Sequence, residues 1–167
     1  MHTKSRMLCA KAMIMLCMTA PLCTASAKNV SSFVGHYTTA SLSAQEQTAG
    51  NLLNSDRKRY NLSPLVIDPE LCRIARIKSQ DMRDNQYFAH TSPTYGDVRN
   101  MLREFGYSFT AAGENIAHHA TIEKAQAAFL SSPGHRKNIM NTTYTKVGVG
   151  AAVDSNGHVY LTQIFAR

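Results

Sequence analysis

Cysteine is nearly absent from the part of this chain that would fold. Of four cysteines in 167 residues, Cys9, Cys17 and Cys23 fall within the first 27 positions, and only Cys72 lies beyond them. One thiol cannot form an intrachain disulfide, so a disulfide-stapled scaffold is excluded and the chain must rely on a hydrophobic core. Cys72 lies between Leu71 and Ile74 with no histidine or glycine close in sequence, which suits a small buried hydrophobe better than a catalytic thiol. Long apolar runs are missing too. Residues 7–18 are mostly apolar but carry Lys11, and the run falls well short of the roughly 20 residues a spanning helix needs. Internal repeats, a nucleic-acid-binding motif, a His-Glu-x-x-His helix and a Gly-x-Ser-x-Gly elbow are all absent. These absences count against a repeat array, a nucleic-acid partner, a zincin and a serine hydrolase.

What is present begins with an export signal. Lys4 and Arg6 open the chain, an apolar stretch follows, and Ala25-Ser26-Ala27 is a small-x-small cleavage site. Together these predict a secretory signal peptide over residues 1–27, cleaved after Ala27. Bulky Leu22 before Cys23 argues against lipid attachment there. Removing Lys4, Arg6 and Lys11 with the signal takes the formal charge from +7 to +4, ordinary for a monomeric exported domain. Basic residues at Arg57-Lys58-Arg59 and at Arg73, Arg76 and Lys78 read as a solvated face, with weak attraction to an anionic envelope as the livelier alternative.

Residues 28–42 are small and polar and read as a flexible lead-in, leaving 43–167 as one domain. Ser43 with Glu46 forms a capping box for a first helix reaching about Tyr60, with Leu52, Leu53 and Tyr60 inward and Arg57 and Lys58 outward. Leu65-Val66-Ile67 reads as an apolar connector. Asp68-Pro69 starts a second helix to about Asn85, whose inner face is Leu71, Ile74, Ala75, Lys78 and Met82, the lysine stem running along the edge. A third helix spans about 97–105 and stops at Gly106; Thr121 caps a fourth through Leu130. Residues 107–120 read as strand or extended loop. The end of the chain switches to period two: residues 147–153, an Asp-Ser-Asn-Gly turn, and residues 158–165 predict a hairpin. Gly148 and Gly150 share one face of it, either for close packing or for a cavity. Helices first and a hairpin last imply an α+β fold.

Three polar residues stand out. Glu114 follows Gly113 inside a stretch that otherwise reads as buried, where a carboxylate must be paired or near water. His135 follows Pro133-Gly134 at the start of a short helix, and His90 sits in the Phe88-Ala89-His90-Thr91 loop. Spacing alone does not join them: His90 is 24 residues before Glu114 and His135 is 21 after it. Of His118 and His119, adjacent on an extended segment, at most one could face any site; both read as exposed, as does His158.

Residues 50–167 nevertheless carry a recognisable series: Leu53-Asn54 with Arg57, Ser63-Pro64-Leu65 with Asp68 and Leu71, Phe88-Ala89-His90-Thr91-Ser92-Pro93, Gly106-Tyr107, Ala112-Gly113-Glu114-Asn115-Ile116-Ala117, Ser132-Pro133-Gly134-His135-Arg136-Lys137-Asn138-Ile139-Met140, Val147-Gly148-Val149-Gly150, and Tyr160-Leu161-Thr162-Gln163-Ile164-Phe165. In this order they resemble the CAP superfamily of cysteine-rich secretory, venom-antigen and plant pathogenesis-related proteins, and most of all its compact, cysteine-poor bacterial branch (SCP-like). The resemblance implies a three-layer α-β-α sandwich around a small antiparallel sheet. It also implies a cleft of two histidines and acids that holds a divalent ion such as zinc in some relatives.

The cleft residues carry over to His90, His135 and Glu114, with Asn115, Ser131 and Arg136 along its lining. Eukaryotic members have a second acid where this chain has Ser131, and a tryptophan where it has Ala128. The resemblance implies an extracellular or periplasmic binding module, taking a cation and, in an adjacent groove, a lipid, peptide or cell-envelope ligand. A hydrolase using Glu114, His90 and His135, with or without zinc, is the alternative, and a purely structural triad is a third.

Overall fold

The computed structural model describes residues 41–167; the expected signal peptide and residues 28–40 of the lead-in lie outside the described residues. The first helix, α1 (Ala44–Arg59), opens on the expected capping box: Ser43 Oγ accepts from the Glu46 amide at 3.2 Å and a Glu46 oxygen accepts from the Ser43 amide at 2.9 Å. Glu46 is fully buried and does more than cap. Arg76 grips it with two bonds of 2.7 and 2.6 Å, and the Ala151 amide donates to it at 3.3 Å. One carboxylate thus joins three distant segments, and although desolvation would raise its pKa, these donors outweigh it and the pKa is lowered.

The remaining elements are β1 (Val66–Ile67), α2 (Pro69–Asp84), α3 (Val98–Glu104), β2 (Ala112–His119), α4 (Ile122–Ser131), α5 (Pro133–Ile139), β3 (Lys146–Val153) and β4 (Val159–Ala166). Asp68, Asp97 and Thr121 each cap the helix that follows through a side-chain oxygen. Gly106 ends α3 with a φ of +71°, a conformation glycine adopts freely. The strand order is β1-β3-β4-β2, with β1 parallel to β3 and the other pairs antiparallel.

One face of the sheet packs Val147, Val149, Leu161 and Phe165 against Leu53 of α1 and Ala125 and Phe129 of α4. The other packs Ile164 and Ala112 against Leu71, Ile74 and Ala75 of α2 and Met101 and Leu102 of α3. This is the three-layer sandwich that the series of motifs implied. Gly148 and Gly150 are there for close packing: a β-carbon on either would overlap the α2 backbone, at Leu71 and at Ala75–Arg76 respectively.

Four readings of the sequence need correcting. Val66-Ile67 is a short strand, not a connector, because its partner in β3 lies some 80 residues on. Arg57 faces in and Tyr60 faces out. Arg57 is buried because its guanidinium serves three carbonyls, Ser63 at 2.8 Å, Ile139 at 2.6 Å and Asn141 at 3.0 Å, and so closes the loop after α1 onto the end of α5. Lys78 does not run along an edge; it is 1 % exposed. With Arg57 and Lys78 inside and Arg76 clasping Glu46, the expected basic face loses three of its members.

Candidate functional site

Strand β2 is an edge strand whose residues alternate between the two core faces. Glu114 pairs with Ile164 and His118 with Tyr160 on the α2 face, whereas Asn115 pairs with Gln163 on the α4 face. The Glu114 side chain is 4 % exposed. Its Oε1 lies 2.8 Å from His90 Nδ1, while its Oε2 has no hydrogen-bond partner among the described residues. His90 arrives on the loop after α2, which is held from below. Lys78 Nζ donates to the carbonyls of Ala89 (2.9 Å) and His90 (3.2 Å) and to the Tyr87 hydroxyl (3.0 Å). Asp81 accepts from the hydroxyls of Tyr87, Ser92 and Thr94 and from the Asn85 amide. A buried lysine and a nearly buried aspartate therefore fix the loop that presents His90.

His135 reaches the same place from α5. Its ring is 6.5 Å from that of His90 and 5.2 Å from that of Phe129. A line of buried amides fixes its backbone. Asn115 donates to the His135 carbonyl and to Gln163, both at 3.1 Å. Gln163 donates to Gln126 and Gln126 to Asp56, both at 2.8 Å. Asn138 donates to the carbonyl of Glu114 at 3.1 Å and to Asn115 Oδ1 at 2.9 Å. This line ties α1, α4, β4, β2 and α5 together directly behind the histidines.

The two imidazoles are shifted in opposite directions. The hydrogen bond to Glu114 raises the His90 pKa, over the opposing effect of partial burial. Desolvation lowers that of His135, and the positive charge on His90 adds to the effect. The arrangement therefore favours the charged form more at His90, beside Glu114, than at His135. Lys78 is lowered first by burial, with Glu114 and Asp81 opposing.

Of the residues singled out beforehand, His90 and Glu114 touch, His135 faces His90, and Asn115 is buried behind them. Ser131 and Arg136 are exposed and engaged elsewhere: Ser131 donates to the Ala127 carbonyl at 2.8 Å, and the Arg136 guanidinium lies 4.6 Å from the Tyr60 ring centroid. The glycines beside the site differ. A β-carbon on Gly113 would overlap the Tyr144 hydroxyl, but one on Gly134 meets open space. Cys72 is buried against β3, its Sγ 3.3 Å from the Val149 amide, and burial pushes its thiol up to about 11. A thiol this weakly acidic is a poor nucleophile.

Sequence reasoning passed over Lys78, Gln126, Asn138 and Gln163 as parts of the site. A visible signal existed for one of them: Gln163 sits in a largely apolar strand, and a buried amide must find partners.

Residues 51–165 match the CAP family, described as the cysteine-rich secretory protein family. The chain belongs to this family. It is 43 % identical over 129 residues to the uncharacterized protein YkwD of Bacillus subtilis, covering 77 % of this chain and 49 % of that protein. It is 38 % identical over 118 residues to the uncharacterized membrane protein YlbC of the same organism, covering 70 % of this chain and 33 % of that protein. Among solved structures, an extracellular protein containing an SCP domain from Bacillus anthracis superposes with a TM-score of 0.69 at 39 % identity, over 74 % of this chain and 40 % of that one. An outer surface protein of Borrelia burgdorferi shares the fold, with a TM-score of 0.67 at 21 % identity over 72 % of this chain and 90 % of that one. The CAP domain thus spans half or less of the two Bacillus subtilis relatives. Among the described residues no helix is long and apolar enough to cross a membrane.

Proposed function

We infer that this is an exported CAP-domain binding module, extracellular or periplasmic, whose His90–Glu114–His135 site takes a divalent cation. The observation that carries this reading is Glu114 Oε2, a buried carboxylate oxygen without a hydrogen-bond partner among the described residues, beside two imidazoles. Leaving such an oxygen unpaired is costly, and a ligand or ion offsets that cost. Two imidazoles and one carboxylate are the residue types of a zinc site with an open position, and the rings, 6.5 Å apart between centroids, would have to close on the ion. In the neutral ring, Nδ1–H donating to Glu114 leaves the other nitrogen of His90 as a lone-pair donor, so an ion binds there in place of a proton. Phe88, half exposed two residues before His90 and with its ring 6.5 Å from those of His118 and Tyr160, offers apolar surface for a lipid, peptide or envelope component.

Zinc titrated calorimetrically into the chain tests the cation. His90→Ala and His135→Ala are expected to weaken binding by about tenfold or more each. Unchanged affinity in both variants rules the site out.

Hydrolysis by the same groups is the second reading, favoured by the opposed shifts of His90 and His135, which resemble the separation of an acid and a base. It requires turnover of some peptide, ester or glycan substrate that Glu114→Gln abolishes. Turnover that survives Glu114→Gln, or none at all across such a panel, counts against it.

A further inference from the structure

At the far end of β2, away from the His90 site, three ligand-type side chains converge from two segments. His118 is the last but one residue of β2, and Asp154 and His158 flank the β3–β4 turn. Their ligand atoms all lie within 4.8 Å of one another, the one such group of three among the described residues. We propose that His118, Asp154 and His158 form a second, solvent-facing site for a divalent transition ion of the zinc type.

The site is built before any ion arrives. Asp154 Oδ1 is occupied by the turn itself, accepting from the amides of Asn156 and His158, both at 2.9 Å. The turn is closed by Asp154 donating to the His158 carbonyl at 2.9 Å and by Gly157 at φ +80°. Oδ2 is therefore aimed outward, at His118 Nε2, 2.8 Å away. The His118 ring is stacked on Tyr160, with centroids 4.0 Å apart and planes 13° from parallel. His158 presents its ring edge-on to His118 at 5.5 Å. Zinc bonds of about 2.0–2.2 Å place tetrahedral ligand atoms roughly 3.3 Å apart. The pairs need only small side-chain adjustments to reach that spacing, and the ion takes the place of the His118–Asp154 hydrogen bond, whose proton passes to water.

Two imidazoles and one carboxylate select borderline-soft ions over magnesium or calcium, which want oxygen shells. The remaining positions open onto a hollow also lined by Arg83, Asp84 and Gln86. Both imidazoles are on exposed residues, so the ion is exchangeable and keeps water or an external donor as its last ligand.

The test is zinc calorimetry on the intact chain with two double variants. His118→Ala/His158→Ala is expected to lose one zinc equivalent, together with the part of the zinc-induced rise in melting temperature that belongs to this site. His90→Ala/His135→Ala is expected to keep that equivalent. Asp154→Asn, which preserves the oxygen that accepts the turn amides, should weaken the retained site about tenfold or more. If stoichiometry and melting shift are the same in His118→Ala/His158→Ala as in the parent chain, the proposal fails, whatever the His90 site does. If His90→Ala/His135→Ala binds no zinc, this proposal fails and the reading of the His90 site stands. Magnesium at matched concentration should produce neither the heat nor the melting shift; a magnesium response equal to that of zinc overturns the assignment of ion class.

Discussion

The two histidine clusters share a strand and a face yet are built in opposite ways. Glu114 and His118 are four residues apart on the α2 face of β2, about 13 Å along the strand. At Glu114 the carboxylate is buried and the imidazole that meets it is more than half exposed. At His118 the carboxylate is held by a surface turn and both imidazoles are exposed. The first site depends on the core behind it, through Lys78, Asp81 and the amide line from Asp56 to Asn138. The second depends on four residues of turn and one stacked tyrosine. A site braced by the interior should fail when the interior is disturbed, whereas one braced by a turn should fail only locally.

Gly150→Ala should have the largest effect and should destroy both sites. Its β-carbon would overlap the backbone of α2, which cannot yield as a side chain does, so a loss of about 3 kcal/mol or more is expected. Chemical denaturation, or failure to recover folded protein, is the check. Asn115→Ala comes next and should separate the sites. It strips partners from the His135 carbonyl, Gln163 and Asn138 in the interior, at a cost of about 2 kcal/mol. Zinc binding at the His90 site should weaken while that at the His118 site is retained. Equal losses at both would mean that they are not independently supported.

A smaller effect separates the rings of the first site by pH. His90 has a raised pKa, so its pairing with Glu114 contributes stability that is full below the unfolded histidine value and is lost as pH rises through the raised one. His135 is lowered, so its contribution is full above the unfolded value and is lost as pH falls through the lowered one. The two contributions change in opposite senses with pH, and proton NMR should show His90 titrating above His135. The reverse order would contradict the ion pair. Glu114→Gln should bring His90 back toward the ordinary range. The smallest contrast lies in the glycines beside the site residues. Gly113→Ala should cost about 1–3 kcal/mol because it meets Tyr144, whereas Gly134→Ala, helical and unobstructed, should be neutral or stabilise by up to about 1 kcal/mol. Melting curves of the pair decide it.

The difference between the regions also explains what the sequence made legible. Capping residues, the proline at the start of α2, the Asn-Gly turn and the period-two strands announce themselves locally, and the helices and hairpin follow. The meeting of His90 with Glu114 does not: nothing in their spacing joins them, and only the resemblance to the CAP family did. Arg57 misled because its three partners are backbone carbonyls, two of them more than 80 residues away, and carbonyls leave no mark in a sequence. Lys78 misled similarly, since a buried ammonium is worth its desolvation only where a tyrosine hydroxyl and two carbonyls wait for it. The His118 cluster was half legible. The alternation of His118 and His119 was clear, but Asp154 faces His118 only once β2 and β4 are in register.

The amide line and the buried Glu46 have one more consequence. A four-stranded sheet ending in short β1 on one side and β2 on the other leaves two rims of unpaired backbone, open to strands from other molecules. On the β3 rim beyond β1, the amides of Val149 and Ala151 are taken by Cys72 Sγ and Glu46 Oε1. On the β2 rim, Asn138 occupies the carbonyl of Glu114. The same side chains that hold the fold and brace the His90 site therefore blunt both rims against fibrillar stacking, a safeguard for a domain with no disulfide among the described residues to hold it.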